Sequence, residues 1–124
     1  MLNQMQKEWL KIASEVFEAA GCAPLYLVGG FVRDLLLARP SNDVDLAVPA
    51  QAAQLIAVSQ QFAQAVNRLK NGWRATFLTL DPENGVTRVV FQKAQQTNAT
   101  EAAEEDLLYF DFAAFGTATR IEED

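Results

Sequence analysis

The sequence predicts one α/β (α+β) domain, in which helices cover a mixed β-sheet of about five strands. Two observations carry this prediction. Segments with helical and strand-like periods alternate through the first half of the chain, and three further strand-like runs follow. The chain has 124 residues, half of them apolar, which suffices for one hydrophobic core but not for two. We therefore expect a single domain over residues 1–124.

Eight segments are predicted from their periods and from the Gly and Pro residues at their ends. The expected helices span 4–20, 31–38 and 49–70, the last opened by Pro49. The expected strands span 25–28, 43–48, 73–80, 86–93 and 107–115. The run LYLV (25–28) is expected to be buried, and the turn DPENG (81–85) predicts a hairpin. Residues 94–105 are polar and are expected to form a loop.

Composition excludes several kinds of site. The chain has no histidine, so a His base or a Ser-His-Asp triad is excluded, and its single cysteine, Cys22, cannot form an internal disulfide.

The net charge of −6 comes from residues 94–124, which hold eight acidic residues and one basic residue. The sequence contains no run of basic residues that would indicate binding to a polyanion. No apolar run reaches the roughly 18 residues of a membrane span, and the N-terminus lacks a signal-peptide pattern. We expect a cytoplasmic protein without membrane contact.

Asp43 and Asp45 interrupt the apolar strand DVDLAV. Residues two apart in a strand point to the same face, about 6.6 Å apart, so both carboxylates project together while Val44 and Leu46 face the core. Two like charges side by side repel each other unless a cation neutralises them, and hard oxygen ligands suit Mg²⁺ bound together with substrate phosphates. Two such ions can assist phosphoryl transfer. The alternative is an acidic turn, in which Asp43 caps a backbone group and Asp45 is solvated.

The segment before these carboxylates has the features of a phosphate-binding site. A strand that ends at Gly29–Gly30 and leads directly into a helix presents free backbone N–H groups to an anion. Arg33, on the first turn of that helix, can reach the same anion. Taken alone, this pattern is better explained by a tight turn with a surface arginine. The combination with the carboxylate pair favours a site for phosphate and metal.

The segment LVGGFVRDLLLARPSNDVDLAV (27–48) resembles the first signature of the bacterial tRNA nucleotidyltransferase and poly(A) polymerase family. That family belongs to the DNA polymerase β-like nucleotidyltransferases. FLTLDPENGVTRVVF (77–91) and YFDFAAFGT (109–117) are similar to its head domain. The resemblance implies template-independent, two-metal addition of CMP or AMP to tRNA or other RNA 3′ ends, with ATP or CTP as substrates and Mg²⁺ as cofactor.

The resemblance also implies roles for individual residues. Asp43 and Asp45 would be catalytic metal ligands, and Gly29, Gly30 and Arg33 would bind the nucleotide triphosphate. The roles of two neighbouring residues, Asp34 and Arg39, stay open.

A third carboxylate is implied by the superfamily, which places one on a neighbouring strand. Asp111 is the best match, because it is an isolated acid in the apolar run YFDFA and would be costly to bury without a neutralising partner. The resemblance therefore makes it a catalytic residue and a metal ligand as well. The alternative is a surface acid on an edge strand.

The last residues suggest a head fragment. IEED (121–124) is similar to the acidic segment that, in the family, precedes a motif of the form RRDFTxNA, which contacts the ribose, and an EDxxR element, which selects the base. We therefore expect the isolated chain to have no activity or very weak activity, and CC-, A-, CCA-adding and poly(A) activity stay open. Two alternatives remain: a free-standing minimal nucleotidyltransferase that modifies a protein or small molecule, and a non-enzymatic module that binds NTP or metal.

Overall fold

The computed structural model describes residues 2–93 and 107–116, which form three helices and one five-stranded sheet. The helices are α1 (Gln4–Ala19), α2 (Gly29–Leu36) and α3 (Ala52–Arg68). The strands are β1 (Tyr26–Val28), β2 (Asp43–Ala50), β3 (Trp73–Asp81), β4 (Val86–Lys93) and β5 (Leu108–Gly116). The predicted α+β fold and the predicted element order are confirmed. The loop expected over 94–105 and the segment IEED lie outside the described residues.

The sheet is mixed, with strand order β1-β2-β5-β4-β3. The central strands β2 and β5 are parallel, and the other neighbours are antiparallel. The predicted hairpin is the pair β3–β4 at one edge. This order brings β2, β5 and β4 side by side in the middle of the sheet, although they are distant in sequence.

One prediction of burial and one prediction of a helix start are wrong. The run LYLV was expected to be buried, but Tyr26, Leu27 and Val28 are 48%, 37% and 38% exposed because β1 is an edge strand. Pro49 does not open α3; it lies in β2 opposite Phe115 of β5. A proline is tolerated there because β1 pairs only with residues 45–47, so no strand on that side needs its missing N–H group.

One face of the sheet, which we call the core face, packs against α1 and α3 through aromatic rings. Trp9 of α1 stacks on Phe91 of β4, with ring centroids 3.8 Å apart. Phe62 of α3 lies 5.8 Å from Phe110 of β5, and Phe17 of α1 lies 5.0 Å from Phe112. All six rings are fully buried, and such pairs stabilise a core beyond their buried area. This packing fixes the strands on which the polar residues of the other face lie.

Polar contacts fix the start of β2. Gln6, in the first turn of α1, forms a capping box with Asn3, and its side-chain Nε2 donates to the carbonyl oxygen of Ser41 at 2.8 Å. The backbone N–H of Tyr109 donates to the carbonyl oxygen of Asn42 at 2.8 Å. Because both acceptors immediately precede Asp43, α1 and β5 together hold the beginning of β2.

None of the described helices is long and apolar enough to span a lipid bilayer.

Candidate active site

Asp43 and Asp45 lie on the face of β2 that is turned away from the core. Val44, Leu46 and Val48 are buried on the core face, whereas Asp43 is exposed and Asp45 is half-buried. The alternation expected from DVDLAV is therefore present. The structure brings the two carboxylates onto one surface, as the sequence indicated.

Asp111 lies on the same surface, one strand away. The Cα register pairs Asp45 with Asp111 and Asp43 with Tyr109 across the parallel strands β2 and β5. The flanking residues Phe110 and Phe112 are buried on the core face, so Asp111 points to the opposite side. We call this opposite side the carboxylate face and define it by Asp43, Asp45, Asp111 and, on β4, Arg88.

Arg88 is the site residue that the sequence reasoning missed. It lies opposite Asp111 in the β4–β5 register and donates two hydrogen bonds to that carboxylate, from Nε to Oδ1 at 2.8 Å and from Nη2 to Oδ2 at 3.0 Å. Its guanidinium also lies over the ring of Tyr109, 5.0 Å from the centroid. The available signal was a single charge in the strand VTRVVF, on the face opposite the buried residues Thr87 and Val89.

The electrostatics of the carboxylate face reflect crowded negative charge. Burial and the charge of Asp111 raise the pKa of both Asp43 and Asp45 above the ordinary carboxyl value. The two residues differ in their remaining neighbours: Asp34 adds to the rise at Asp43, and Asp43 adds to the rise at Asp45. Arg88 opposes both shifts, and its own guanidinium pKa is raised by its hydrogen bonds to Asp111. A further cation close to these carboxylates would therefore be stabilised.

The N-terminus of α2 contacts this carboxylate group. Val28, the residue before the helix, pairs with Asp45, and a backbone hydrogen bond from Phe31 opposes the rise in the pKa of Asp45. Gly29 has φ +73°, and a Cβ atom built on it would lie 2.9 Å from Oδ2 of Asp45. Only a residue without a side chain fits here without displacing the carboxylate. The glycine predicted to bind phosphate therefore also makes room for Asp45.

Arg33 and Gly30 lie together on the first turns of α2. A Cβ atom on Gly30 would lie 3.3 Å from Nη2 of Arg33, so the guanidinium is folded back over this glycine. The Arg33 side chain is 68% exposed, and its Nε is 3.6 Å from Oδ1 of Asp34, an oxygen that also accepts from Nη2 of Arg39 at 3.2 Å. Arg33 is thus loosely held and accessible to an anion.

A shallow cavity of about 610 Å³ adjoins this turn. Gly29 and Arg33 line it together with aliphatic side chains from β1, from α2 and from the residue that follows α2, namely Leu27, Val28, Val32, Leu36 and Leu37. Two of the three predicted phosphate-binding residues, Gly29 and Arg33, therefore border an apolar surface groove rather than a closed pocket.

The fit of a metal ion rests on the carboxylates. Among the described residues, no group of three or more carboxylate or thiol side chains is arranged to hold a metal ion. Asp43 and Asp45 offer hard oxygen ligands, and a divalent ion bound by one or two carboxylates takes its remaining ligands from water and substrate phosphates. The donor set therefore fits such an ion at Asp43 and Asp45, whereas both oxygens of Asp111 accept from Arg88.

The model of the family described as the Poly A polymerase head domain matches residues 25–124 of this chain. The chain belongs to this family. The matched range includes the three carboxylates, Arg88 and the glycine pair at the start of α2. The family named by the resemblance of the signature in residues 27–48 is thus confirmed.

Curated relatives of this head domain carry the name CCA-adding enzyme. The protein from Lactiplantibacillus plantarum is 33% identical, and the alignment covers 90% of this chain and 29% of the relative. The protein from Streptococcus pyogenes serotype M2 is 32% identical, with 90% and 28% covered. The head-domain chain thus spans less than a third of the length of these relatives.

Solved structures confirm the fold. A tRNA-processing enzyme in apo form superposes with a TM-score of 0.62 at 22% identity, covering 92% of this chain and 24% of the other. A CCA-adding enzyme in complex with ATP gives a TM-score of 0.57 at 21% identity, covering 94% and 22%. The Thermotoga maritima CCA-adding enzyme complexed with tRNA gives 0.52 at 22% identity, covering 92% and 22%.

Proposed function

We propose that this chain is the catalytic head of a template-independent RNA nucleotidyltransferase that adds CMP or AMP to tRNA 3′ ends. The observation that carries the proposal is the carboxylate face, where Asp45 and Asp111 pair across parallel strands and Asp43 lies one step along β2. Membership of the Poly A polymerase head domain family and the name of the relatives support the same chemistry. The partners proposed are ATP or CTP and an RNA 3′ end, and the proposed location is the cytoplasm.

Mg²⁺ is the proposed cofactor, held by Asp43 and Asp45, with Asp111 as the third carboxylate of the site. When bound, the metal supplies charge stabilisation for the attacking and leaving oxygens of the transferred nucleotide. The chain's own contribution is to hold the carboxylates in register on two rigid neighbouring strands. Their raised pKa values support the assignment, because crowded carboxylates gain most from a bound cation.

Gly29, Gly30 and Arg33 are the proposed ligands of the nucleotide triphosphate. The support is their position: α2 begins at Gly29, next to Asp45, and Arg33 extends its exposed guanidinium over Gly30. Anions bind favourably at helix N-termini, and a guanidinium can bind two phosphate oxygens at once. The triphosphate would thus lie between this turn and the carboxylate face.

The test is equilibrium dialysis of labelled ATP and CTP with Mn²⁺, comparing the wild type with Asp43→Asn. We expect Mn²⁺-dependent binding in the wild type and at least about ten-fold weaker binding in Asp43→Asn, the loss expected for a charged ligand contact. Glu83→Gln, which removes one exposed acid in the β3–β4 turn, is the matched control and should bind like the wild type. Equal binding by Asp43→Asn and the wild type would overturn the proposal.

Nucleotide addition distinguishes the head of a longer enzyme from the two alternatives. Labelled CTP or ATP is incubated with the chain and with tRNA lacking its 3′ end. Robust, Asp43-dependent incorporation by residues 1–124 alone would favour a complete minimal nucleotidyltransferase. Nucleotide binding without incorporation, even when the remainder of a family enzyme is supplied, would favour a non-enzymatic module.

A further inference from the structure

The Arg88–Asp111 pair closes one side of the carboxylate face. Both Asp111 oxygens accept from one guanidinium, at 2.8 and 3.0 Å, in the planar two-point geometry that gives strong charge-assisted hydrogen bonds. The two residues are directly opposite in the β4–β5 register, so the pair requires no backbone distortion. The Arg88 side chain is 35% exposed and the Asp111 side chain 23%, so water reaches the pair only partly.

Arg88 occupies the place that a cation would take at Asp111. A carboxylate whose two oxygens accept from a guanidinium is largely neutralised, and its two inward-facing lone pairs are occupied, so it attracts a metal ion less strongly and cannot bind one through both oxygens. This is consistent with the absence of a three-ligand metal group among the described residues. Arg88 uses only two of its five N–H donors in this pair, so the guanidinium retains capacity for another anion.

We propose that Arg88 is a positioning residue that competes with the divalent ion for Asp111 and releases it when a nucleotide triphosphate enters. In the nucleotide-free protein the guanidinium holds Asp111, and the ion is bound by Asp43 and Asp45 alone. The triphosphate offers Arg88 another anionic partner, and Asp111 then becomes available as a third ligand. This inference rests on the proposed function, because it assigns the nucleotide and the ion to the carboxylate face.

The consequence is a coupling between two ligands. If the nucleotide draws Arg88 away from Asp111, the nucleotide strengthens ion binding, and by linkage the ion strengthens nucleotide binding by the same factor. Removing Arg88 frees Asp111 from the outset. Ion binding without nucleotide should then become tighter, and the additional gain from nucleotide should become smaller.

The test is titration of the 124-residue protein with Mn²⁺, followed by electron paramagnetic resonance of the free ion, with and without a non-hydrolysable ATP analogue. Without nucleotide, we expect Arg88→Met to bind Mn²⁺ at least about five-fold more tightly than the wild type does; five-fold is the lower end of typical coupling strengths. The gain should be nearly absent when Arg88→Met is combined with Asp111→Asn. Arg88→Lys keeps the charge but loses the two-point geometry, so it should show a smaller gain in Mn²⁺ affinity. It replaces Arg88→Met in the test if Arg88→Met fails to fold.

Arg74→Met is the matched control for simple loss of positive charge. Arg74 is an exposed residue of β3, separated from Asp111 by β4. Equal gains from Arg74→Met and Arg88→Met would overturn the inference, as would a gain that persists in the Asp111→Asn background or no gain at all. These outcomes leave the proposed function intact. If the wild type instead showed no Mn²⁺ binding that depends on Asp45, the proposed function would be overturned, and this inference with it.

Discussion

The two faces of strands β2 and β5 share one backbone and differ in almost every other property. On the core face, Phe110 and Phe112 are fully buried and meet rings from α1 and α3. On the carboxylate face, the intervening residue Asp111 pairs with Arg88 and faces Asp45 across the strands. A shift of one position along the same strand therefore separates packing from chemistry.

This difference shows how a small sheet keeps a destabilising site. The raised pKa values of Asp43 and Asp45 mean that their charged forms are less stable in the folded protein than in the unfolded chain, which lowers the stability of the fold at neutral pH. The aromatic packing on the other side of the same strands holds them in place despite that cost. Substitutions on the two faces should therefore have opposite consequences for stability and for ligand binding.

The largest expected effect is on the core face. Phe110→Ala should lower the free energy of unfolding by about 3–5 kcal/mol, because it leaves a cavity beside Phe62 and Trp9. Urea denaturation measures this loss. Tyr109→Ala, one residue earlier on the carboxylate face, should cost clearly less. Equal losses for Phe110→Ala and Tyr109→Ala would mean that the two faces contribute equally to stability.

The next effect concerns nucleotide binding. Arg33→Ala should weaken binding of ATP or CTP by about 1.5–3 kcal/mol, the range for a hydrogen bond to a charged group, and leave unfolding nearly unchanged. The reason is that the Arg33 side chain is 68% exposed and that its ion pair with Asp34, at 3.6 Å, is long. Arg68→Ala, which removes an exposed arginine at the end of α3, is the control. A large drop in unfolding temperature for Arg33→Ala would assign Arg33 a structural role.

A comparison of alanine substitutions at two glycines distinguishes the effect of backbone strain from the effect of a steric contact with Asp45. Gly29 and Gly21 both have positive φ, at +73° and +80°, so alanine at either should cost about 1–2 kcal/mol of stability. A Cβ atom on Gly29 would also meet Asp45, whereas one on Gly21 would meet nothing within 4 Å. We expect only Gly29→Ala to weaken Mn²⁺-dependent nucleotide binding, measured by dialysis. Similar binding losses in both variants would show that strain alone affects the site.

The smallest expected effect is a pH dependence of stability in the presence of a chelator. Burial and the charge of Asp111 raise the folded-state pKa of Asp45 above the ordinary 3.8, so the folded protein binds more protons there than the unfolded chain. Wild-type stability should therefore fall as pH rises from about the ordinary carboxyl value through the raised one. Asp45→Asn should be the more stable protein at neutral pH, and its advantage should disappear on acidification.

Asp81 provides the opposite case. Its pKa is lowered by hydrogen bonds from Asn84, so its contribution to stability is present at neutral pH and is lost as pH falls. Asp81→Asn should therefore destabilise the protein at neutral pH and approach the wild type in acid. Urea denaturation across a pH series measures the stability of Asp45→Asn and Asp81→Asn relative to the wild type. If the two stability differences changed with pH in the same direction, the opposite pKa shifts assigned to Asp45 and Asp81 would be contradicted.

The sequence predicted the parts of the fold that depend on local pattern. Alternation in DVDLAV placed Asp43 and Asp45 opposite Val44 and Leu46, and the DPENG turn marked the β3–β4 hairpin. The strand LYLV was placed in the core because apolar runs do not reveal whether a strand lies at the edge of a sheet. Pro49 was predicted to start a helix. The local sequence could not show that a proline is tolerated in β2, because this depends on where the neighbouring strand β1 ends.

The site was predicted incompletely for the same reason. The glycine pair and the carboxylate pair lie close in sequence and form a recognisable motif. Arg88 and Asp111 are paired only by the register of β4 and β5, which no local pattern determines. The steric role of Gly29 toward Asp45 likewise depends on the contact between α2 and β2. The assigned catalytic and ligand-binding roles remain predictions.

The central claim is that the carboxylate face binds ligands while the core face maintains the fold. The most direct test is the unfolding temperature of the wild type and Asp45→Asn, each measured in chelator and with Mn²⁺ plus a non-hydrolysable ATP analogue. A ligand at a hundred times its Kd adds about 2.7 kcal/mol of stability, so the wild type should shift upward on ligand addition. We predict that Asp45→Asn unfolds in chelator at the same or a higher temperature than the wild type and shows no ligand shift. A full ligand shift in Asp45→Asn, or its unfolding well below the wild type in chelator, would contradict this claim.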